Sequence, residues 1–170
     1  TPAPTATPTP TPTPSSVQPP FGIVSWWPGD TSANDIVGGN NGILGGGASF
    51  ADSLVAQGFE LDGEDDFVEV SSNGNLNNSG EFTVELWAKR TKLAEGVLVS
   101  KGELGGRAFS VKFTSGHKIQ VGYDATDGSP IVAPLGGGPN IGSGHSPITD
   151  SQFHHIALIV EGTRTVFLLV

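Results

Sequence analysis

Three carboxylates alternate over a short stretch of this 170-residue chain, at Glu60, Asp62 and Glu64. In a β-strand, alternate side chains point to the same face of the sheet. Such a trio can supply the nucleophile, the helper and the acid of a retaining glycosidase. Gly63 interrupts the trio, however, and Asp62-Gly63 is also typical of a tight turn. We therefore predict that the chain is not an enzyme and assign it no catalytic residues, with a glycosidase as the weaker alternative.

Other residue types that could bind a ligand are a histidine pair and three tryptophans. Neighbouring strand residues point to opposite faces, so His154 and His155 are not expected to share a site, and His155 is expected on a polar sheet surface. Sugar binding needs exposed aromatic rings. Trp26, Trp27 and Trp87 are available for that role, although tryptophans in β-sandwiches more often lie in the core. Both interpretations stay open.

Acidic and amide side chains in consecutive turns favour a metal ion. Ca²⁺ takes oxygen ligands from loops of this kind. The candidate ligands of a structural Ca²⁺ are Asp30, Asp35, Asn40 and Asn41. A second acidic turn contains Asp62, Asp65 and Asp66. The alternative is that these side chains make local hydrogen bonds to the backbone, for which Asp and Asn are also favoured in turns.

The overall composition excludes several classes of protein. The chain has 25 Gly and 13 Pro and a charged fraction of 15%, which favours short strands joined by tight turns. Its net charge is −9 with only 8 Lys and Arg, so a nucleic-acid partner is not expected. No apolar run approaches the roughly 18 residues of a membrane span. There is no Cys, which excludes disulfides and thiolate metal sites.

The first 20 residues are rich in Thr and Pro and form a separate segment. Alternating Pro cannot enter a helix or a sheet interior, so we predict an extended polyproline II tail or linker. Closely spaced Thr between Pro is also typical of O-glycosylated stalks. The candidate glycosylation sites are Thr5, Thr7, Thr9, Thr11, Thr13 and the sequon residue Asn77. This composition predicts a secreted protein of the cell surface or of an appendage.

Beyond the tail, regularly spaced β segments predict two packed antiparallel sheets. Strands are expected at residues 21–27, 57–61, 67–70, 81–89, 96–100, 108–113, 118–123, 156–160 and 166–170. In the segment 81–89, Phe82, Val84, Leu86 and Ala88 face one side and Thr83, Glu85, Trp87 and Lys89 face the other. Residues 128–147 are rich in Gly and Pro and are expected to form a long loop. The last two strands are apolar on both faces, which is typical of covered strands.

Several motifs occur in a characteristic order. SWWPGD (residues 25–30) precedes a GGNNG turn and then FELDGEDDFV (59–68), FTVELWAKR (82–90) and FHHIALIVEG (153–162). The order and content of these motifs resemble laminin-G-like (concanavalin A-like) jelly-roll domains, with Phe67 for the usual Tyr and Phe153 for the usual Trp. The resemblance implies an all-β, two-sheet antiparallel jelly roll over residues 21–170. It also implies Ca²⁺ near the early turns, and two or three closing strands after the last strand, which are absent from the sequence.

Two functions are consistent with these features. The first is an extracellular structural or adhesive protein. Its more specific form is a glycosylated fibre subunit that self-associates through its N-terminal arm or by strand complementation. An apolar last strand with no partner would favour such a completion by another segment. The assembly candidates are Phe21, Ile23, Val24, Val166, Leu168 and Val170. The second is a carbohydrate-binding or adhesion module that the Thr-Pro linker tethers to a larger secreted protein. In either case the expected partners are copies of the chain or glycans, with no nucleic acid and no membrane insertion.

Overall fold

The computed structural model describes residues 19–72, 74–76, 81–102, 109–124, 130–134, 147–161 and 164–169. Its strands are β1 (Gly42–Gly45), β2 (Ser49–Asp52), β3 (Gln57–Glu60), β4 (Phe67–Val70), β5 (Phe82–Ala88), β6 (Gly96–Lys101), β7 (Phe109–Phe113), β8 (Ile119–Asp124), β9 (Pro130–Pro134), β10 (His154–Glu161) and β11 (Arg164–Leu169). A 3₁₀ turn occupies Gly74–Leu76, and the described ranges contain no α-helix. No helix in them is long and apolar enough to cross a membrane. The all-β prediction is confirmed.

Two antiparallel sheets pack face to face around a single core. One sheet has the order β11-β10-β5 and the other has the order β6-β7-β8-β9. The rings of Phe82 on β5 and Phe109 on β7 meet across the interface, with their centroids 5.6 Å apart. The buried core side chains are Ala88, Phe109, Val111, Phe113, Ile119, Val121, Ile148, Ile156, Leu158 and Val160. Burial of this apolar surface is the main force that holds the two sheets together, and the predicted two-sheet sandwich is confirmed.

Strand β5 has one apolar face and one polar face, as its alternating sequence predicts. Its apolar residues pack against the core, whereas Thr83, Glu85 and Trp87 are exposed on the other side. Strand β10 lies between β5 and β11, and its Ile156 and Leu158 are completely buried. The prediction of a covered central strand is therefore confirmed for β10.

Two smaller antiparallel sheets are formed by the chain before β5. Strand β1 pairs with β4, and β2 pairs with β3. The turn between β1 and β2 depends on Gly46, which has a left-handed φ of 68°. A Cβ at this position would clash with the carbonyl oxygen of Asp65. The glycine at position 46 therefore reflects a close approach of two backbone segments, which only Gly permits.

Two of the expected elements are wrong. Residues 21–27 form no strand. The chain turns at Gly22, with φ of 84°. The backbone of Trp26 then makes hydrogen bonds to Asp35 and Ile36 in a loop, and not to a neighbouring strand. The predicted loop at 128–147 contains strand β9, which pairs with β8. Its flanking prolines, Pro130 and Pro134, are tolerated because β9 is an edge strand and bonds on one side only.

Candidate ligand-binding face

The outer face of β5 carries the most exposed tryptophan of the described residues. Trp87 retains 52% of its surface, because the strand directs Leu86 and Ala88 into the core and Trp87 away from it. A half-exposed indole leaves a large apolar plane in water, which costs free energy unless a ligand covers it. Trp87 is therefore the strongest candidate for ligand contact on this domain.

His155 holds the indole from the neighbouring strand. The two residues are directly opposite in the β5–β10 register, and their ring centroids lie 5.1 Å apart at an interplanar angle of 38°. The Nε2 atom of His155 lies 3.6 Å from Oε2 of Glu85, whose side chain is 60% exposed. The expectation that His155 lies on a polar sheet surface fits this position. These contacts reduce the freedom of the indole and leave its other surface available.

Lys89 extends the face beyond the end of β5. Its ammonium nitrogen lies 4.8 Å from the centroid of the Phe153 ring, a cation–π arrangement. We name Glu85, Trp87, Lys89, Phe153 and His155 the Trp87 face. An apolar plane flanked by a hydrogen-bond acceptor and a donor is suited to a sugar ring, which has an apolar CH surface and a rim of hydroxyls. The sequence indicated Trp87 by its strand position, whereas the contribution of Phe153 depends on the packing of β10 beside β5.

The other two tryptophans are part of a structural loop. Both are partly buried, and Nε1 of Trp27 donates a hydrogen bond to the carbonyl oxygen of Asn40 at 2.7 Å. The backbone N–H of Trp26 donates to Oδ1 of Asp35 at 2.9 Å. These residues connect the N-terminal segment to the Gly/Asn-rich turn, so neither offers a free platform.

Asp35 is the centre of that loop. Its carboxylate accepts backbone N–H bonds from Trp26, Val37, Gly38 and Asn40. Burial opposes ionisation of the carboxyl, but the four N–H donors outweigh it and hold the pKa of Asp35 well below its usual range. The carboxylate is thus solvated by the backbone of its own loop.

The structure places the other proposed calcium ligands at separate contacts. Asp30 Oδ1 accepts a bond from the backbone N–H of Gln57, and Asn41 Oδ1 accepts one from that of Asp35. The Nδ2 group of Asn40 donates to Ser25 and Asp35. Oxygens that already accept N–H bonds fit a metal ion poorly, since the donors carry positive charge toward the site. The assignment of Ca²⁺ to these four residues stays a prediction.

A second acidic group lies in the turn between β3 and β4. The ligand atoms of Asp62, Asp65 and Asp66 lie within 4.8 Å of one another. The Asp66 carboxylate accepts bonds from the backbone N–H of Asp62 in the same turn and from that of Gly47 in the turn between β1 and β2. Lys92 donates to the carbonyl oxygen of Asp62 and lies 3.5 Å from Glu64. The turn therefore already has a cation beside it.

The carboxylate trio does not lie on one strand. Strand β3 ends at Glu60, and Asp62 begins the acidic turn, in which its Oδ1 accepts a bond from the N–H of Glu64. The alternation that would place three carboxylates on one sheet face therefore ends at the first of them. His154 likewise bonds to a neighbouring loop, with its Nε2 2.8 Å from Oδ1 of Asp150, and the Asp150 pKa is lowered by this contact.

The proposed glycosylation and assembly residues are only partly described. The five tail threonines, Asn77 and Val170 lie outside the described residues. Val166 and Leu168 lie in β11, opposite Ile159 and Ala157 of β10. The remaining assembly candidates are Phe21, which is fully exposed, Val24, which is 47% exposed, and the partly buried Ile23.

The two packed antiparallel sheets define a β-sandwich of the jelly-roll type. A laminin G family model, described as the Concanavalin A-like lectin/glucanases superfamily, matches residues 62–169, which is more than half of the chain. The chain belongs to this superfamily, and the resemblance found in the sequence is confirmed. Carbohydrate-binding and adhesion modules are typical members of this superfamily. No curated protein and no solved structure matches the chain.

Proposed function

We propose that the chain is an extracellular, non-enzymatic binding module that recognises carbohydrate with the Trp87 face. The observation that carries the proposal is the half-exposed indole on the outer face of β5, with the ring centroid of His155 5.1 Å from its own. In this role the apolar CH surface of a sugar ring covers the indole and removes it from water. Glu85 and Lys89, which lie on either side of the indole along the strand, then bond to hydroxyl groups of the bound carbohydrate.

The Thr-Pro segment fits the same function as a tether. A polyproline II chain is stiff and extended, so it keeps a binding domain away from the surface or the domain that carries it. Glycans on its threonines would shield the tether from proteases. Both the glycosylation and the secreted location are parts of this proposal.

Replacement of Trp87 by alanine is expected to weaken polysaccharide binding by roughly thirtyfold, corresponding to about 2 kcal/mol for a central aromatic contact. The melting temperature should change little, because the indole is half exposed. Binding is measured by affinity gel electrophoresis against soluble xylan, β-glucan and galactomannan. Trp87→Phe should retain part of the affinity.

The matched control is Phe67→Ala, which removes another exposed aromatic from strand β4 of a different sheet. It should bind as the unsubstituted chain does. Equal binding by the Trp87→Ala variant would contradict the proposed site. Release of reducing sugar from any of these polysaccharides would contradict the non-enzymatic assignment.

A second candidate function is adhesion by self-association, and it depends on the N-terminal segment. Phe21 is fully exposed next to the Thr-Pro tail, and Val24 is 47% exposed nearby. Apolar side chains in such a position favour contact with another copy of the chain. Repetition of a head-to-tail contact of this kind would give a fibre.

Sedimentation velocity of the full chain tests the second function. We expect concentration-dependent association that a Phe21→Ser, Val24→Ser double variant abolishes. The Phe67→Ala variant provides an exposed aromatic control that should associate normally. A chain that remains monomeric at every concentration would leave carbohydrate binding as the function.

A further inference from the structure

Polar side chains form a row on either side of Trp87, with Glu85 in β5 and Lys89 directly after its last residue. Glu85, Trp87 and Lys89 are all exposed and point to the same side of the sheet. Alternate residues on a strand are about 7 Å apart, so the row from Glu85 to Lys89 covers about 13 Å. That length exceeds one sugar ring and corresponds to a short oligosaccharide.

The row lies on a strand and not in a loop pocket. The indole of Trp87 has Glu85 on the side toward the middle of the strand, and Lys89 and Phe153 on the side toward its end. A binding site that recognises the end of a sugar chain needs groups that surround the terminal residue on several sides. An extended row instead suits a ligand that continues past the site in both directions.

The net charge of the chain favours neutral over anionic polysaccharides. The formal net charge is −9, from 17 Asp and Glu against 8 Lys and Arg. This field repels anionic polymers. On the Trp87 face itself, the carboxylate of Glu85 and the ammonium of Lys89 have opposite charges, so the two groups together do not favour a charged ligand. The carboxylate accepts a hydrogen bond from a hydroxyl and the ammonium donates one, so both can bond to a neutral sugar.

We propose, on the basis of the function proposed above, that the ligand is an internal segment of a linear, neutral polysaccharide that lies along β5. One sugar ring stacks on Trp87. Glu85 accepts a hydrogen bond from a hydroxyl of the ring on one side, and Lys89 donates to a hydroxyl of the ring on the other side. Glu85 and Lys89 thus determine specificity for a chain over a single sugar.

The test is isothermal titration calorimetry of the full chain with xylose, glucose and mannose and with their β-1,4-linked oligosaccharides from dimer to hexamer. Affinity should rise by at least tenfold from monomer to tetramer and then level off. Polygalacturonate, an anionic polymer, should bind at least tenfold more weakly than the best neutral polymer. Equal affinity for monomer and hexamer, or tighter binding of polygalacturonate, would overturn the inference.

Variants assign the two flanking residues. Glu85→Gln and Lys89→Met should each lower affinity for the hexamer by about five- to tenfold, the value of one hydrogen bond, and lower the weak monomer affinity by a smaller factor. Lys89→Arg, which keeps the positive charge and the N–H donors, should retain most of the affinity for the hexamer. Glu69→Gln, an exposed carboxylate on β4, is the matched control and should have no effect.

The two levels of the proposal fail in different ways. If no neutral polysaccharide or oligosaccharide binds, the proposed function itself fails. If oligosaccharides bind and Trp87→Ala abolishes binding, but Glu85→Gln and Lys89→Met bind the hexamer as the unsubstituted chain does, only the extended mode is wrong.

Discussion

Replacement of Asp35 by alanine is expected to destabilise the domain by about 3–5 kcal/mol, a large part of the total stability of a domain of this size. The substitution removes the acceptor for four backbone N–H groups, those of Trp26, Val37, Gly38 and Asn40. These donors face the buried position of the carboxylate, which is 7% exposed, so water replaces the lost bonds only in part. Urea denaturation followed by tryptophan fluorescence measures the loss.

Asp30→Ala is the matched control, because Asp30 also accepts a backbone bond in this region but is exposed and, among the described residues, accepts only the one from Gln57. It should cost about 1 kcal/mol or less. If the two variants lose equal stability, the hydrogen bonds of Asp35 are not what holds the loop.

The same carboxylate predicts how stability depends on pH. The pKa of Asp35 is lower in the folded chain than in the unfolded chain, where it has the ordinary Asp value of 3.8. The contribution of the ionised Asp35 carboxylate to the free energy of unfolding is therefore fully present above that pH and is lost progressively as the pH falls below it. An Asp35→Asn variant, which cannot ionise, should lose less stability than the unsubstituted chain between pH 5 and pH 2 (roughly the range over which an Asp carboxyl protonates).

The second large effect is expected at the centre of strand β10. Leu158 is completely buried between the two sheets, and Leu158→Ala should cost about 3–4 kcal/mol through lost burial and the cavity left behind. Thermal unfolding followed by circular dichroism measures the change. The substitution should leave the Trp87 face unchanged, since Leu158 points to the opposite side of the sheet.

Ile159→Ala is the matched control on the next residue of the same strand. Its side chain is half buried on the outer face, so its loss should be smaller, about 1–2 kcal/mol. A larger loss at Ile159 than at Leu158 would mean that the outer face of this sheet is covered more tightly than the core.

Local patterns predicted the elements whose residues alternate strictly. The segment around Trp87 alternates between apolar and polar residues, and this alternation already indicates strand β5 and its two faces. The interpretation of residues 21–27 as a strand came from their β-rich composition and was wrong, because the backbone N–H of Trp26 bonds to the Asp35 carboxylate and not to an adjacent strand. The apolar residues of β9 were hidden by the glycines and prolines around them.

The sequence by itself determined the all-β class, the superfamily and the polarity of the two faces of β5. Those properties depend on residues close together in the chain, whose spacing matches the two-residue repeat of a strand. Only the tertiary structure decided which aromatic rings are free. Trp27 and Trp87 are the same residue type in similar β-rich segments. Trp27 donates a hydrogen bond to Asn40, which is 13 positions later in the chain. Trp87 contacts His155 across a pair of strands that no local pattern specifies. Exposure depends on which distant segments pack against a side chain, and that is settled when the sheets assemble.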